Sequence, residues 1–255
     1  MALKLTPVSG IPIIHSGDNL VEIIQDALEF TGLTLLDNDI IVVAQKIISK
    51  AEGRTVKLSQ VVPSIRALEM AEVIEKDPRL VELILGESSQ VLRARPGTII
   101  VKHQLGFICA NAGIDHSNVS GDCDEIENWV LLLPENPDDS ANKLREGLEK
   151  ASGVRLGVQV IDSHGRAWRL GTVGITIGLS GFPGTVDMRG KPDLFDYNLQ
   201  TTEVGVADEL AAGASLMMGQ AAEGTPVIHA RGFPYNLREA SLDEILRPQE
   251  LDLFQ

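Results

Sequence analysis

The feature that most constrains the fold of this chain is a series of short aliphatic runs separated by helical patterns. Residues 38–44 (NDIIVVA) and 158–162 (VQVID) have the length and the branched side chains of buried strands. Residues 17–32 instead place apolar side chains at helical spacing, with Gly32 as the expected end of the helix. Strands and helices do not alternate regularly, so a doubly wound sheet is not indicated. The pattern predicts an α+β fold with mixed sheets.

The remaining elements are predicted from the same patterns. Residues 133–142 (LPENPDDSAN) collect turn residues and charges, and they are the expected seam within a single unit that spans residues 1–255. Asp77 and Pro78 have the spacing of a helix cap followed by the first helical residue. The further predicted strands are 98–102, 106–110, 130–134 and 226–231, and the further predicted helices are 63–88 (as two helices), 140–153 and 203–219.

The acidic balance of the chain restricts the partners that it can bind. Its 36 Asp and Glu residues outnumber its 22 Lys and Arg residues, and the formal net charge is -14 at pH 7. Nucleic-acid binding is not expected, because it depends on clustered basic side chains. The start of the chain has no apolar signal-peptide segment, and no run reaches the ~20 apolar residues of a membrane span. A cytoplasmic protein without a membrane partner is therefore expected.

An anionic ligand would need a local exception to this acidity, formed by a few basic residues or by bound divalent cations. Lys50 and Arg54 are four residues apart, so they share a face if their segment is helical. The basic residues that are candidates for this exception are Lys46, Lys50, Arg54, Arg166 and Arg169.

Two aspartates give the sharpest chemical signal. Asp115 and Asp162 each follow an apolar run, and each leads into a loop that contains glycine and hydroxyl side chains such as Ser117 and Ser163. Carboxylate and hydroxyl oxygens suit Mg²⁺ or Mn²⁺, which commonly use one or two carboxylates together with substrate phosphates. The alternative is that both aspartates only cap turns after strands, which is frequent for this residue type. Their parallel contexts leave both interpretations open.

A glycine-rich segment, residues 171–184 (GTVGITIGLSGFPG), also has two interpretations. Glycines let backbone N–H groups approach phosphates, but they also allow a strand to pack closely against its neighbours. The chain has no Walker loop, no G-x-G-x-x-G after a strand and no H-E-x-x-H motif. The residues by themselves therefore indicate a metal-assisted enzyme that handles phosphates.

Five segments in a fixed order add a resemblance to this interpretation. They are VSGIPIIHSGDNL (8–20), KIISKAEGR (46–54), NAGIDHSNV (111–119), DSHGRAWRLGTVGITIGLSG (162–181) and ADELAAGASLMMGQ (207–220). Each segment is weak alone, but together they span nearly the whole chain. The sequence resembles the coenzyme F420-0:L-glutamate ligase family, also called γ-glutamyl ligases.

The resemblance implies a GTP-dependent ligase that joins L-glutamate to the deazaflavin coenzyme F420-0 through an acyl phosphate, releasing GDP and phosphate. Whether further γ-linked glutamates are added is left open. The resemblance also implies two divalent cations (Mn²⁺ or Mg²⁺), stimulation by K⁺, two intertwined subdomains and an intimate homodimer. Some relatives carry a fused nitroreductase-like domain, and none is expected here because the sequence ends at Gln255.

The same resemblance implies roles for individual residues. The metal ligands that it implies are Asp115, Asp162, Ser163 and Gln220. The nucleotide contacts that it implies are Ile11, Pro12, Ile13, Ile14, Gln45, Lys46, Lys50 and Asn118. Lys50 and Arg166 are the hypothesised catalytic contacts to phosphate or substrate. Gln45 and Lys46 depart from the small hydroxyl residues of some members, and this leaves the guanine contacts open.

Two other functions remain as alternatives. A metal-dependent phosphotransferase or phosphatase would use the same aspartates and would consume nucleotide without glutamate. A non-catalytic GTP-binding module would bind nucleotide and metal without turnover.

Overall fold

The computed structural model describes residues 2–119 and 128–252. Its strands are β1 (Lys4–Pro7), β2 (Asp39–Ala44), β3 (Thr55–Lys57), β4 (Ser88–Arg95), β5 (Thr98–His103), β6 (Ile108–Ala110), β7 (Trp129–Leu131), β8 (Leu156–Gly165), β9 (Thr172–Ser180), β10 (Val186–Asp187), β11 (Glu203–Val204) and β12 (Val227–Arg231). Its α-helices are α1 (Leu20–Thr31), α2 (Gln45–Ala51), α3 (Ile65–Ile74), α4 (Pro78–Gly86), α5 (Pro137–Ser152) and α6 (Val206–Met218).

A five-stranded sheet in the order β1-β12-β2-β8-β9 forms the centre of the fold. Its strands β2 and β8 are parallel, while the other neighbouring pairs are antiparallel. The smaller sheets are β4-β5-β6, β3-β7 and β10-β11. The prediction of mixed sheets with helices is therefore confirmed. The two subdomains, their seam at residues 133–142 and the homodimer stay predictions.

Strand β2 is buried on both faces, which explains its continuous aliphatic run. Ile41 and Val43 belong to one hydrophobic core, whereas Ile40 and Val42 belong to a second core. Because side chains alternate along a strand, these two cores cover opposite faces of the central sheet. Helices α1 and α5 contribute to the first core and α6 to the second.

The glycine-rich segment 171–184 packs against helices. A Cβ atom at Gly174 would lie 2.4 Å from Cβ of Ser215 in α6, and one at Gly178 would lie 2.5 Å from the backbone of Pro137 in α5. Interiors at native density do not accommodate such overlaps without backbone shifts. These two glycines therefore let β9 lie close to both helices, as the packing interpretation of the segment predicts.

The helix signals in the sequence are confirmed at two ends. Gly32 follows α1 with a φ of 72°, the left-handed conformation in which glycine commonly ends a helix. Asp77 caps α4 by accepting a hydrogen bond from the backbone N–H of Arg79, and Pro78 is the first helical residue.

Two local features differ from the sequence pattern. Helix α2 ends at Ala51, so the condition under which Lys50 and Arg54 would share a helical face is not met. The side chain of Arg54 instead pairs with Glu87 and Glu135. Asp162 was expected to leave its strand for a loop, but β8 continues to Gly165 because that stretch pairs with β9 as far as Thr172.

None of the helices in the described part of the chain is both long enough and apolar enough to cross a membrane.

Candidate active site

The parallel pairing between β2 and β8 ends at a cavity of about 680 Å³. Ala44 pairs with Ile161 in their register, so the next residues, Gln45 and Asp162, begin this cavity wall together. In open α/β sheets ligands bind outside the carboxyl ends of parallel strands, and the cavity has the same position relative to this one parallel pair. The volume lies within the ~300–1,000 Å³ of small-molecule sites. The residues that line the cavity come from segments 11–14, 44–50, 110–118, 161–165 and 215–226.

The loop that carries Asp115, residues 111–118, has an unusual backbone. Asn111, Ala112 and Gly113 all have positive φ values of 51°, 53° and 65°. Left-handed backbone is strained for residues other than glycine and is held only where surrounding structure imposes it. The backbone of Asp115 supplies part of that restraint, because its N–H and C=O groups both pair with Leu131, at 3.0 and 2.9 Å. We call residues 111–118 the Asp115 loop.

The carboxylate of Asp115 has two donors from the start of α2. Nζ of Lys46 lies 3.0 Å from Oδ2 of Asp115, and Nε2 of Gln45 donates to the same oxygen at 2.8 Å. Gln45 is fully buried, and its Oε1 accepts a hydrogen bond of 2.9 Å from the hydroxyl of Ser49. The Ser49 contact fixes the orientation of the Gln45 amide, so that its NH₂ group faces Asp115.

Burial and neighbouring charges shift the pKa values of the ionisable side chains in this cavity wall. Burial raises the pKa of Asp115, Lys46 opposes this rise, and the negative charge of Asp162 adds to it. Burial also lowers the pKa of Lys50, and the neighbouring charge of Lys46 lowers it further. The carboxylates of Asp115 and Asp162 therefore repel each other, and so do the ammonium groups of Lys46 and Lys50 in the same cavity wall. A cation near the aspartates and an anion near the lysines would each relieve one repulsion.

Asp162 lies on β8 with a second ionisable side chain close by. Its Oδ2 is 2.9 Å from Nε2 of His164, although the contact lacks the alignment of a hydrogen bond. Ser163 lies between these two residues in the sequence, and its hydroxyl donates to Oε1 of Gln220 at 3.0 Å. The Gln220 amide in turn donates to the hydroxyl of Ser215 at 3.0 Å. Oxygen atoms from β8 and from the end of α6 therefore meet at one side of the cavity.

Comparison with known proteins identifies the family. The family model described as F420-0:Gamma-glutamyl ligase matches residues 10–232. This chain belongs to that family. It is 45% identical to the coenzyme F420:L-glutamate ligase of Methanothermobacter thermautotrophicus over 257 residues, covering 100% of both chains. It is 41% identical to the protein of the same name from Archaeoglobus fulgidus over 255 residues (100% of this chain, 97% of the relative). For the Methanocaldococcus jannaschii protein, also of that name, the identity is 40% over 247 residues (96% and 94%).

The residues expected to hold metal in this γ-glutamyl ligase family fit a divalent cation in part. They supply only oxygen atoms, as hard cations require, from two carboxylates, one hydroxyl and one amide. The described residues contain no group of three or more His, Cys, Asp or Glu side chains that could hold a metal alone. Such a donor set fits a cation whose coordination is completed by water and substrate phosphates. The residues of this set are Asp115, Asp162, Ser163 and Gln220, and all four line the cavity.

The cavity also brings together the residues expected to contact nucleotide. Residues 11–14, Gln45, Lys46, Lys50 and Asn118 all line it. The side-chain amide of Asn118 donates to the backbone carbonyl of Ala221 at 3.1 Å, which ties the Asp115 loop to the segment after α6. Their roles as contacts stay predictions. Arg166 is not among the lining residues, and its Nη1 contacts the carbonyl of Gly171 at 3.3 Å.

His164 lines the cavity beside Asp162, and it is not among the site residues predicted from the sequence. A strand places residues two apart on the same face, so His164 accompanies Asp162 once β8 is known to continue through both. Recognising that the strand continues was the missing signal.

Proposed function

We propose that this protein is a GTP-dependent ligase that joins L-glutamate to the deazaflavin coenzyme F420-0. The observation that carries the proposal is the cavity where the parallel pairing of β2 and β8 ends, in which two carboxylates and two lysines converge. Membership of the γ-glutamyl ligase family supports it, as do the relatives named coenzyme F420:L-glutamate ligase.

The proposed reaction has two steps. A carboxylate oxygen of F420-0 attacks the γ-phosphorus of GTP, the bond to the β-phosphate oxygen breaks, and GDP leaves. The resulting acyl phosphate is attacked by the amine of glutamate, which forms the amide, loses a proton and releases phosphate. Both reactants of the first step are anions, so the site must neutralise charge where they approach.

The residues of the cavity supply that neutralisation. Lys46 and Lys50 would attract the phosphates of GTP, and Lys50 is half-buried, so water screens its charge less than on an open surface. Asp115 and Asp162, with Ser163 and Gln220, would hold two divalent cations (Mn²⁺ or Mg²⁺), which stabilise the negative charge that develops during phosphoryl transfer. K⁺ is a proposed further activator.

A metal-dependent phosphotransferase is the second candidate. It would use the same carboxylates and lysines of the cavity, and it would release GDP without glutamate.

The test mixes the purified protein with GTP, Mn²⁺ or Mg²⁺, L-glutamate and F420-0, and analyses the products by mass spectrometry. We expect a mass increase of one glutamate residue or more, with GDP released in equal amount. GDP release that does not depend on glutamate would support the phosphotransferase instead. Bound GTP without turnover would identify a binding module. The same spectra give the number of glutamates added.

We also propose a homodimer. Its support is a set of exposed apolar side chains on two connecting segments, one between β8 and β9 and one between β10 and β11. Trp168 and Leu170 belong to the first, and Leu194 and Phe195 to the second, each at least 89% exposed. Contiguous exposed apolar patches commonly mark interfaces, and each of these segments carries two such side chains close together in the sequence. Light scattering is expected to give twice the mass of the chain, and a lower mass for Trp168→Asp combined with Phe195→Asp. The mass of one chain for the native protein would contradict the dimer.

A further inference from the structure

The position of Lys46 in the cavity has a consequence for the order in which ligands bind. Among the described residues, three oxygen atoms neighbour its ammonium group: Oδ2 of Asp115 at 3.0 Å, the hydroxyl of Ser117 at 3.0 Å and the carbonyl of Ser117 at 3.1 Å. A protein-bound cation has the same kind of surroundings. One of these oxygens belongs to the carboxylate that is expected to bind a divalent metal ion. Lys46 and the metal therefore use the same negative charge.

The two oxygen atoms of the Asp115 carboxylate differ in their contacts. Among residues 2–119 and 128–252, its side-chain hydrogen bonds and its ion pair all involve Oδ2, from Gln45 and Lys46. Within the same described residues Oδ1 has no such contact, so it would be the oxygen left available to a cation. Its affinity for a cation is reduced while an ammonium group neutralises the same carboxylate and repels a second positive charge.

A nucleotide bound in the cavity would bring a second anion close to Lys46. Its side chain is 27% exposed at the cavity surface, and its four-carbon stem has several rotatable bonds through which the ammonium group can be redirected. Lys50, one helical turn further along α2, lines the same cavity. Phosphates bound between these two lysines carry more negative charge than one carboxylate, and they would draw the ammonium group of Lys46 away from Asp115.

We infer that Lys46 couples metal binding to nucleotide binding. Without nucleotide its ammonium group neutralises Asp115 and weakens the binding of divalent cations, and nucleotide phosphates draw it away and complete the metal site. The inference rests on the proposed function, because it assumes that this cavity takes both a divalent cation and a nucleotide. A residue that only contacted phosphate would not affect metal binding. Lys46 is instead inferred to weaken metal binding until the nucleotide is bound.

The test measures Mn²⁺ affinity by the loss of the free-ion signal in electron paramagnetic resonance, without and with GDP. In Lys46→Met we expect Mn²⁺ alone to bind more tightly, on the order of tenfold or more, because a competing charge is removed. The ratio between the affinities with and without GDP is expected to shrink by a similar factor, since the coupling is reciprocal. Lys46→Arg keeps the charge and is expected to stay within about threefold of the wild type.

Two controls separate this effect from a general change of charge. Lys143→Met removes a lysine from an exposed pair with Asp139 on α5 and is expected to leave Mn²⁺ affinity unchanged. Lys50→Met removes a charge from the same cavity wall without a direct contact to Asp115, and its effect on Mn²⁺ alone is expected to be smaller than that of Lys46→Met.

Unchanged or weaker Mn²⁺ binding by Lys46→Met would overturn the inference while leaving the ligase proposal intact. Equal tightening in Lys46→Arg would do the same, because the charge would then not be the cause. If the wild type binds no Mn²⁺ in either condition, the metal assignment itself fails, and the inference fails with it.

Discussion

Replacing either aspartate of the cavity by asparagine is expected to lower kcat/KM for glutamate-dependent GDP release by about 10²–10³-fold, or about 2.7–4 kcal/mol of transition-state stabilisation. The variants Asp115→Asn and Asp162→Asn keep the size of the side chain but remove the charge that would hold a divalent cation. Because both carboxylates are expected to serve one reaction centre, the double variant should be little slower than the slower single variant. Steady-state kinetics over a range of Mn²⁺ concentrations measures these effects.

The matched control for these variants is Asp139→Asn. Asp139 is an exposed residue of α5 that pairs with Lys143 outside the cavity. The same chemical change there is expected to leave kcat/KM within about twofold of the wild type, because exposed pairs of this kind contribute little. Kinetics near those of the wild type in both Asp115→Asn and Asp162→Asn would contradict the metal assignment.

Stability measurements on Asp115→Asn distinguish a lost function from a damaged fold. Burial raises the pKa of Asp115, so at neutral pH its ionised form is less favourable in the folded protein than in the unfolded chain. Asparagine removes that penalty, although it also removes the ion pair with Lys46. We therefore expect the Tm of the variant to equal or exceed that of the wild type while its activity falls. Active sites commonly carry such a conflict between stability and function.

Much of the fold could be predicted because its signals are local. The aliphatic run of β2 reflects burial on both faces, and the caps at Gly32 and Asp77 act on their own helices. Strand β4 could not be predicted in this way. Its sequence, SSQVLRAR, is polar and largely exposed, and it becomes a strand by pairing with β5. Pairing with a neighbour is a tertiary effect that periodicity within one segment does not contain.

Only part of the candidate site could be predicted from the sequence, because the rest also depends on tertiary contacts. The similar contexts of Asp115 and Asp162 left a metal site and turn capping both open, and the structure shows that both residues line one cavity. The ion pair between Lys46 and Asp115 joins residues far apart in the chain, and it depends on the Asp115 loop meeting the start of α2. Nothing in either segment alone specifies that contact. The choice of residues 11–14 and Gln220 came from the family resemblance, not from their residue types.

The largest loss of stability is expected from Asp39→Asn, at the opposite end of β2 from the cavity. Asp39 is 1% exposed and accepts hydrogen bonds from Arg231 at 2.6 and 2.8 Å and from the backbone of Leu36 at 2.8 Å. His229 lies 2.8 Å away, so the carboxylate ties β2 to β12. Breaking a buried pair costs about 3–5 kcal/mol, and we expect the lower end because Arg231 is partly exposed. Urea unfolding at pH 7 measures the difference.

The pH dependence of this difference has a defined sign. Burial alone would raise the pKa of Asp39, but hydrogen bonds from Arg231 and His229 outweigh it and hold the pKa well below its usual range. A carboxyl group whose pKa is lowered by folding stabilises the protein above its unfolded pKa of about 3.9, and this contribution is lost as the pH falls towards the folded pKa. The difference between wild type and Asp39→Asn should therefore be constant from pH 7 to 5 and shrink below about pH 4.

An exposed pair provides the comparison that tests this explanation. Asp187 pairs with Arg189 at 2.7 Å on the surface, and hydrogen bonds from Arg189 lower its pKa to about 2. Asp187→Asn is nevertheless expected to change stability little, since water screens an exposed ion pair and both partners remain solvated after the change. A loss in Asp187→Asn equal to that in Asp39→Asn would show that burial at β2 and β12 is not the cause. The expected contrast would show that the ion pair of Asp39, at the end of β2 opposite the cavity, stabilises the fold because it is buried.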